Sequence, residues 1–283
     1  MNLDLRMGGI RFHIDCDYAF ECEESFAPFF CTSKNVSDVN ITFIHDYSQA
    51  PLPTGPMLGE DLLIEYYPCG GKLLSMAKGS KGTHLSCCVS DGNDHICYLN
   101  VEPNGGIRTL DGLLRLIPMR RIFLDRGILF FHASQIGLGD KGILFSAPSG
   151  TGKTTQAKLW NKFRNADILC NDRTLTDGQC TYGYPYDGSE PVACGEIRRL
   201  GAIVTLEQAP KNTIRRLRPR EALTRLMPQT IIDVWDPWAQ TAAAEQILTL
   251  LSHTPVYLLQ CTPDEDAVVC LEQQLTKDGV ITK

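Results

Sequence analysis

Apolar and polar positions alternate in short runs through the first part of the chain. Ile10 to Ile14, Val39 to Ile44, Leu62 to Tyr67 and Ile96 to Val101 carry the runs, and Gly70-Gly71, Asp91-Gly92 and Gly105-Gly106 separate them. Alternation with period two, bounded by turn residues, predicts half-buried strands. Residues 1–108 therefore read as a β-rich N-terminal domain, with no constellation that specifies chemistry. From Leu110 the period changes. Leu110, Leu113, Leu114, Ile117, Ile122 and Phe123 recur at helical spacing and predict a helix that opens the second domain, residues 109–283.

Two apolar segments follow, Ile128 to Ile136 and Gly142 to Ser146, with residues 137–141 as the turn of a hairpin. The second segment leads into Ala147-Pro148-Ser149-Gly150-Thr151-Gly152-Lys153-Thr154 and then into a helix-compatible run from Thr155 to Phe163. Further strands are expected at Asp167 to Asn171, Ile197 to Leu206 and Val256 to Gln260, so this half is an α/β core within an α+β chain. Asp236-Pro237 and Thr262-Pro263 read as helix starts, with Glu265 completing a capping box on Thr262. The helix from Pro237 should bury Ala242, Ile247, Leu248 and Leu251.

Composition narrows the class. With 283 residues and 43% hydrophobic content the chain can bury a large core, and a net charge of −6 with scattered Lys and Arg argues against nucleic acid as a partner. No apolar run approaches the ~20 residues of a membrane span, and the first residues lack the apolar core of a signal peptide, which together predict no membrane association and a cytoplasmic location. The twelve cysteines contain no C-x-x-C pair and read as small buried hydrophobes, with Cys87 and Cys88 facing opposite sides of a strand.

The chemistry lies in the turn. Strand, glycine-rich turn and helix in that order match the phosphate-binding pattern G-x-x-x-x-G-K-[ST], except that Ala147 replaces the first glycine. Ser149, Gly150, Thr151, Gly152, Lys153, Thr154 and Thr155 are the expected contacts for a nucleoside triphosphate. Backbone N–H groups and the helix N-terminus would hold phosphate oxygens, Lys153 the β- and γ-phosphates, and the Thr154 hydroxyl Mg²⁺. Phosphoryl transfer also needs a carboxylate, and Asp172, after Ile168-Leu169-Cys170, is the first choice, although a turn or cap aspartate would look the same. His132, inside Phe130-Phe131-His132-Ala133-Ser134, reads equally as a core residue, and Glu196, before Ile197, as a solvated strand-end charge.

Taken together, these motifs resemble the HPr kinase/phosphorylase family, whose C-terminal domain is similar to that of ATP-dependent phosphoenolpyruvate carboxykinase. Four segments carry the resemblance: Phe131-His132-Ala133-Ser134 one hairpin before the phosphate turn, Asn171-Asp172 where the family has paired aspartates, the loop Tyr182 to Gly188, and Glu196-Ile197-Arg198-Arg199-Leu200-Gly201. It covers residues 128–207. It implies a kinase in which Asp172 takes the proton from the acceptor hydroxyl, His132 holds or tunes Asp172, and Thr154, Asp172 and Glu196 serve the metal. Asn171 departs from the pattern, and an amide is no base, so forward transfer is favoured over phosphorolysis. The implied partners are ATP with Mg²⁺ and a hydroxyl on a protein, peptide or small metabolite; a homo-oligomer is compatible with the sequence. A nucleotide-binding regulatory module without turnover is the competing class, and phosphoenolpyruvate carboxykinase activity ranks last.

Overall fold

A computed structural model describes residues 2–32, 36–61, 63–79, 83–100, 109–185, 192 and 194–282. Two compact units emerge: Met1–Ile122 together with Asp233–Pro237, and Phe123–Ile232 together with Trp238–Lys283. The chain is mixed α/β, with two large mixed sheets and several helices.

The first sheet contains β1 (Asn2–Met7), β2 (Ile10–Cys16), β3 (Val39–Ile44), β4 (Gly59–Glu60), β5 (Ile64–Cys69), β6 (Lys72–Lys78), β7 (His84–Asp91) and β8 (Asp94–Leu99), in the order β1-β2-β3-β8-β7-β6-β5-β4. The alternating runs at Ile10 and Val39 form strands as their period predicts. The run expected from Leu62 forms its strand two residues later, and Leu62 itself, Val101 and Gly105-Gly106 lie outside the described residues. β1, β6 and β7 have no counterpart in the expected runs, because segments such as Leu85-Ser86-Cys87-Cys88 mix small polar and apolar residues and blur the period. Residues expected to form one helix form two, α1 (Leu110–Leu114) and α2 (Met119–Asp125). Pro118 lies between them, and its missing N–H and fixed φ suit a helix start better than an interior.

Arg120 meets two carboxylates of the same unit, Asp233 at 3.0 Å and Asp61 at 3.3 Å. Burial pushes the Asp233 carboxyl above its ordinary value, and the Arg120 guanidinium opposes that rise. Arg120→Met leaves Asp233 buried without this charge and should destabilise the protein by about 2 kcal/mol, discounted because Arg120 is itself part-exposed. An acid whose folded-state pKa is raised gains relative stability as pH falls through that pKa, so the deficit should shrink in mild acid. Urea melts of both proteins at neutral and mildly acidic pH check the size and the direction.

The second sheet is built from β9 (Leu129–Leu138), β10 (Lys141–Ser146), β11 (Asp167–Cys170), β12 (Arg173–Thr176), β13 (Cys180–Tyr182), β14 (Ile197–Gln208), β15 (Thr213–Arg216) and β16 (Val256–Cys261). Because β10 pairs with both β9 and β14, the pairings β9-β10-β14-β13-β12 close into a ring. Gly142 permits this closure: a Cβ there would lie 2.2 Å from Thr181 Cγ2. Helices α3 (Lys153–Arg164) and α6 (Glu265–Lys277) cover one face over Ile143, Phe145, Val204 and Tyr257. Helices α4 (Pro219–Leu226) and α5 (Pro237–Leu251) cover the other over Leu144, Ile203 and Leu258.

Two helix details differ from expectation. The stripe of α5 is Ala239, Ala243, Ile247 and Leu250, and Leu248 is 49% exposed, so the buried face is rotated from the expected one. α6 starts at Glu265 and not at Pro263, because the Asp264 carboxylate accepts from Ala267 N at 3.2 Å and takes the cap from Thr262. Among the described residues, no helix is long and apolar enough to cross a membrane.

Candidate functional site

Strands β10, β14 and β16 run parallel, so their carboxyl ends share one edge of the sheet. β11 runs the same way, since both it and β10 are antiparallel to β9. Parallel strands deliver loops to this edge, where α/β folds commonly bind ligands.

The Ala147–Thr154 turn leaves this edge directly after Ser146. Ala147 is buried, whereas Ser149 and Gly150 are exposed and Thr151 and Thr154 half-buried. Gly150 has φ 77° and Gly152 has φ 117°, values that a side chain would strain, and Gly152 caps α3, whose first residue is Lys153. The helix therefore begins with its free N–H groups beside the turn, and Thr154 and Thr155 lie in its first turn. Lys153 is 7% exposed and its ammonium donates to the Ala147 carbonyl at 2.8 Å. Burial lowers its pKa, and the negative charge of Asp172 works against that fall. A buried cation is thus folded back over the turn.

Asp172 lies in the step that joins β11 to β12. Cys170 pairs with Gln135 and Arg173 with His132, so Asn171-Asp172 pass opposite Ser134 and Ala133 in unbroken register, and the shift along β9 falls earlier, between Ile168 and Cys170. The step is tied down by Ala133 N donating to Asp172 O at 3.0 Å and Ser134 Oγ donating to Asn171 O at 2.7 Å. Asp172 Oδ1 lies 2.9 Å from His132 Nε2, and Arg173 Nε lies 3.7 Å from Oδ2. The hydrogen bond from His132 holds the Asp172 carboxyl below its ordinary value, against partial burial and with smaller help from Arg173 and Lys153. Ala133, next to His132, pairs with Ser146, so this dyad stands beside the root of the turn.

Glu196 does not join the group. Lys141 pairs with Arg199 and Ser146 with Thr205, so Glu196, preceding β14, sits at the opposite edge. At about 3.3 Å per residue this is roughly 25 Å or more from the turn. Its carboxylate is exposed and ion-paired with Arg198. The expected metal set of Thr154, Asp172 and Glu196 thus loses Glu196, because the length of β14 carries it away. Glu196→Gln should leave Mg²⁺-dependent nucleotide binding unchanged, checked by calorimetry against the native chain.

One contact had no sequence signal beyond a polar residue ending an apolar strand. Gln208 Nε2 donates to the carbonyls of Gly150 at 3.3 Å and Thr151 at 3.4 Å, bracing the turn from the end of β14. Of the loop Tyr182 to Gly188, residues 186–188 lie outside the described ones; Tyr184 packs on Phe130 at 4.8 Å between ring centroids.

Among the described residues, no group of three His, Cys, Asp or Glu side chains is gathered to hold a metal. Thr154, in the first turn of α3, and Asp172, after β11, both lie at this edge. A scan against protein-family models finds no match to this chain, and a comparison with curated proteins finds none either.

Proposed function

We propose that the chain is an ATP-dependent kinase that transfers a phosphoryl group to a hydroxyl of a protein, peptide or small metabolite, with a second unit related to the HPr kinase/phosphorylase core and to that of ATP-dependent phosphoenolpyruvate carboxykinase. The observation that carries the reading is the His132–Asp172 pair, 2.9 Å apart, at the same sheet edge as the lysine-bearing turn. A nucleotide site alone has no need of a carboxylate clamped by histidine. Together they supply the parts of phosphoryl transfer, namely a phosphate cradle, a cation and a proton acceptor.

In this reading the N–H groups of residues 149–155 bind phosphate oxygens, and Lys153 exchanges the Ala147 carbonyl for the β- and γ-phosphates. Mg²⁺, when bound, neutralises charge on those phosphates, and Thr154 and Asp172 would hold it. Asp172 takes the proton of the acceptor hydroxyl as its oxygen attacks the γ-phosphorus. His132 fixes the carboxylate in place. Little covalent work falls on the protein, since positioning and charge neutralisation provide most of the acceleration. The absence of a second carboxylate at Asn171 favours the forward direction. We place the reaction in the cytoplasm, where ATP is plentiful.

The test is ADP release with Mg²⁺, with and without pools of hydroxyl-bearing peptides and metabolites, paired with a mass search for acceptors gaining one phosphate. Acceptor-dependent release supports the kinase. Tight Mg·ATP binding with no transfer to any acceptor leaves a regulatory module, and no binding overturns both readings.

A further inference from the structure

The first unit contains a chemically distinct cluster of its own. Cys88 on β7 and Cys97 on β8 are direct partners in the antiparallel register, so their side chains leave the same face of the sheet. Cys87 opposes Tyr98 and packs on the other face with Leu74 and Met76. Both Cys88 and Cys97 are fully buried. Cys88 Sγ lies 3.6 Å from Ser90 Oγ, which in turn meets the buried His95 Nδ1 at 2.9 Å.

Geometry makes this pair ready to bond. Residues directly opposite across antiparallel strands have Cα atoms about 4.5–5.5 Å apart, inside the window of about 4.4–6.8 Å that a disulfide requires. The pair is also exclusive along its row. The next cysteine there, Cys16, pairs with Phe43, which itself pairs with Cys97, so two strand spacings, about 10 Å, separate it from Cys97. Burial alone would raise both thiols. For Cys88, hydrogen bonds from Cys97 and His95, with the charge of His95, outweigh burial and lower it, while Cys97 is held high by burial and by its neighbour.

We propose that Cys88 and Cys97 form an oxidisable dithiol site that hydrogen peroxide converts to a cross-strand disulfide. Cys88 gives up its proton, and its thiolate attacks one peroxide oxygen. The O–O bond breaks, leaving a sulfenic acid on Cys88 and a hydroxide that takes up the released proton as water. The Cys97 sulfur then attacks the Cys88 sulfur and expels hydroxide, which leaves as a second water with the Cys97 proton. In sum, two thiols and one peroxide give one disulfide and two waters, the sulfurs being oxidised and the peroxide reduced. The site is independent of the kinase reading.

The experiment treats the full chain with limited peroxide, unfolds it in the presence of an alkylating reagent, and maps residues 84–99 by mass spectrometry. Cleavage beside Asp91 and Asp94 puts the two cysteines on separate fragments. In the native chain these fragments should remain joined, lighter by two hydrogens than the sum of the free thiols, and separate after dithiothreitol. Cys87→Ser should behave the same, while Cys97→Ser should leave no joined fragments. Full alkylation of all three thiols after peroxide overturns the proposal, and so does loss of the linkage in a folded Cys87→Ser protein, which would assign the bond to Cys87. The native and Cys87→Ser results decide the matter even if Cys97→Ser does not fold.

Discussion

Lys153→Ala is expected to weaken Mg·ATP binding by roughly 10²- to 10³-fold, equivalent to about 3–4 kcal/mol, because it removes a buried ammonium held over the turn and with it two charge-assisted contacts to phosphate. The cation is folded onto the Ala147 carbonyl at 2.8 Å and buried, so its attraction for phosphate is less screened than that of a surface lysine. Its own desolvation disappears in the variant, and the fold should not suffer. Thermal unfolding within a few degrees of the native chain, alongside lost binding in calorimetry, is the expected pair of results. Unchanged ATP affinity would sink the phosphate site itself. Because Lys153 also helps hold the Asp172 carboxyl low, the variant should shift that group slightly upward as well.

The shape of the Ala147–Thr154 turn is legible in the sequence because its constraints are local. Gly150 and Gly152 must take positive φ, Lys153 must open a helix, and an apolar strand must precede them, so all the constraints fall within one stretch of chain. The His132–Asp172 contact is different in kind. Forty residues separate the two, and only the antiparallel pairing of β9 with β11 and β12 brings the side chains together. The resemblance to a kinase family named both residues, but no periodicity in the chain revealed their distance. Glu196 shows the opposite failure. Its motif lies at the start of a strand whose carboxyl end, twelve residues on, reaches the edge that carries the Ala147–Thr154 turn, and a sequence pattern carries no information on which end faces that turn. Gln208, at that far end, makes the contact with the turn instead. In the first unit, β7 gives little sequence signal because its buried residues are Ser86, Cys87 and Cys88 rather than branched aliphatics.

Asp172→Asn should separate binding from chemistry. If Asp172 accepts the hydroxyl proton, the amide keeps the shape and a hydrogen bond to His132 but cannot take a proton, and turnover should fall by about 10²- to 10⁴-fold with ATP affinity nearly intact. If the carboxylate serves only the metal, binding and rate should weaken together, and added Mg²⁺ should restore part of both. The pH profile gives an independent reading. His132 is the main reason that the Asp172 carboxyl lies below its ordinary value, so the native group stays ionised well into acid. A depressed carboxylate loses its active, ionised form only as pH falls through the lowered pKa, and the acidic limb of kcat/KM should lie below the ordinary range for aspartate. His132→Gln removes that support and should move the limb upward, toward the value for an isolated aspartate, without abolishing turnover. A limb that stays fixed in His132→Gln, in a protein that still folds and binds ATP, would show that His132 does not govern the reacting carboxylate. Retention of full turnover in Asp172→Asn would remove Asp172 from the chemistry and leave the nucleotide turn without its proton acceptor.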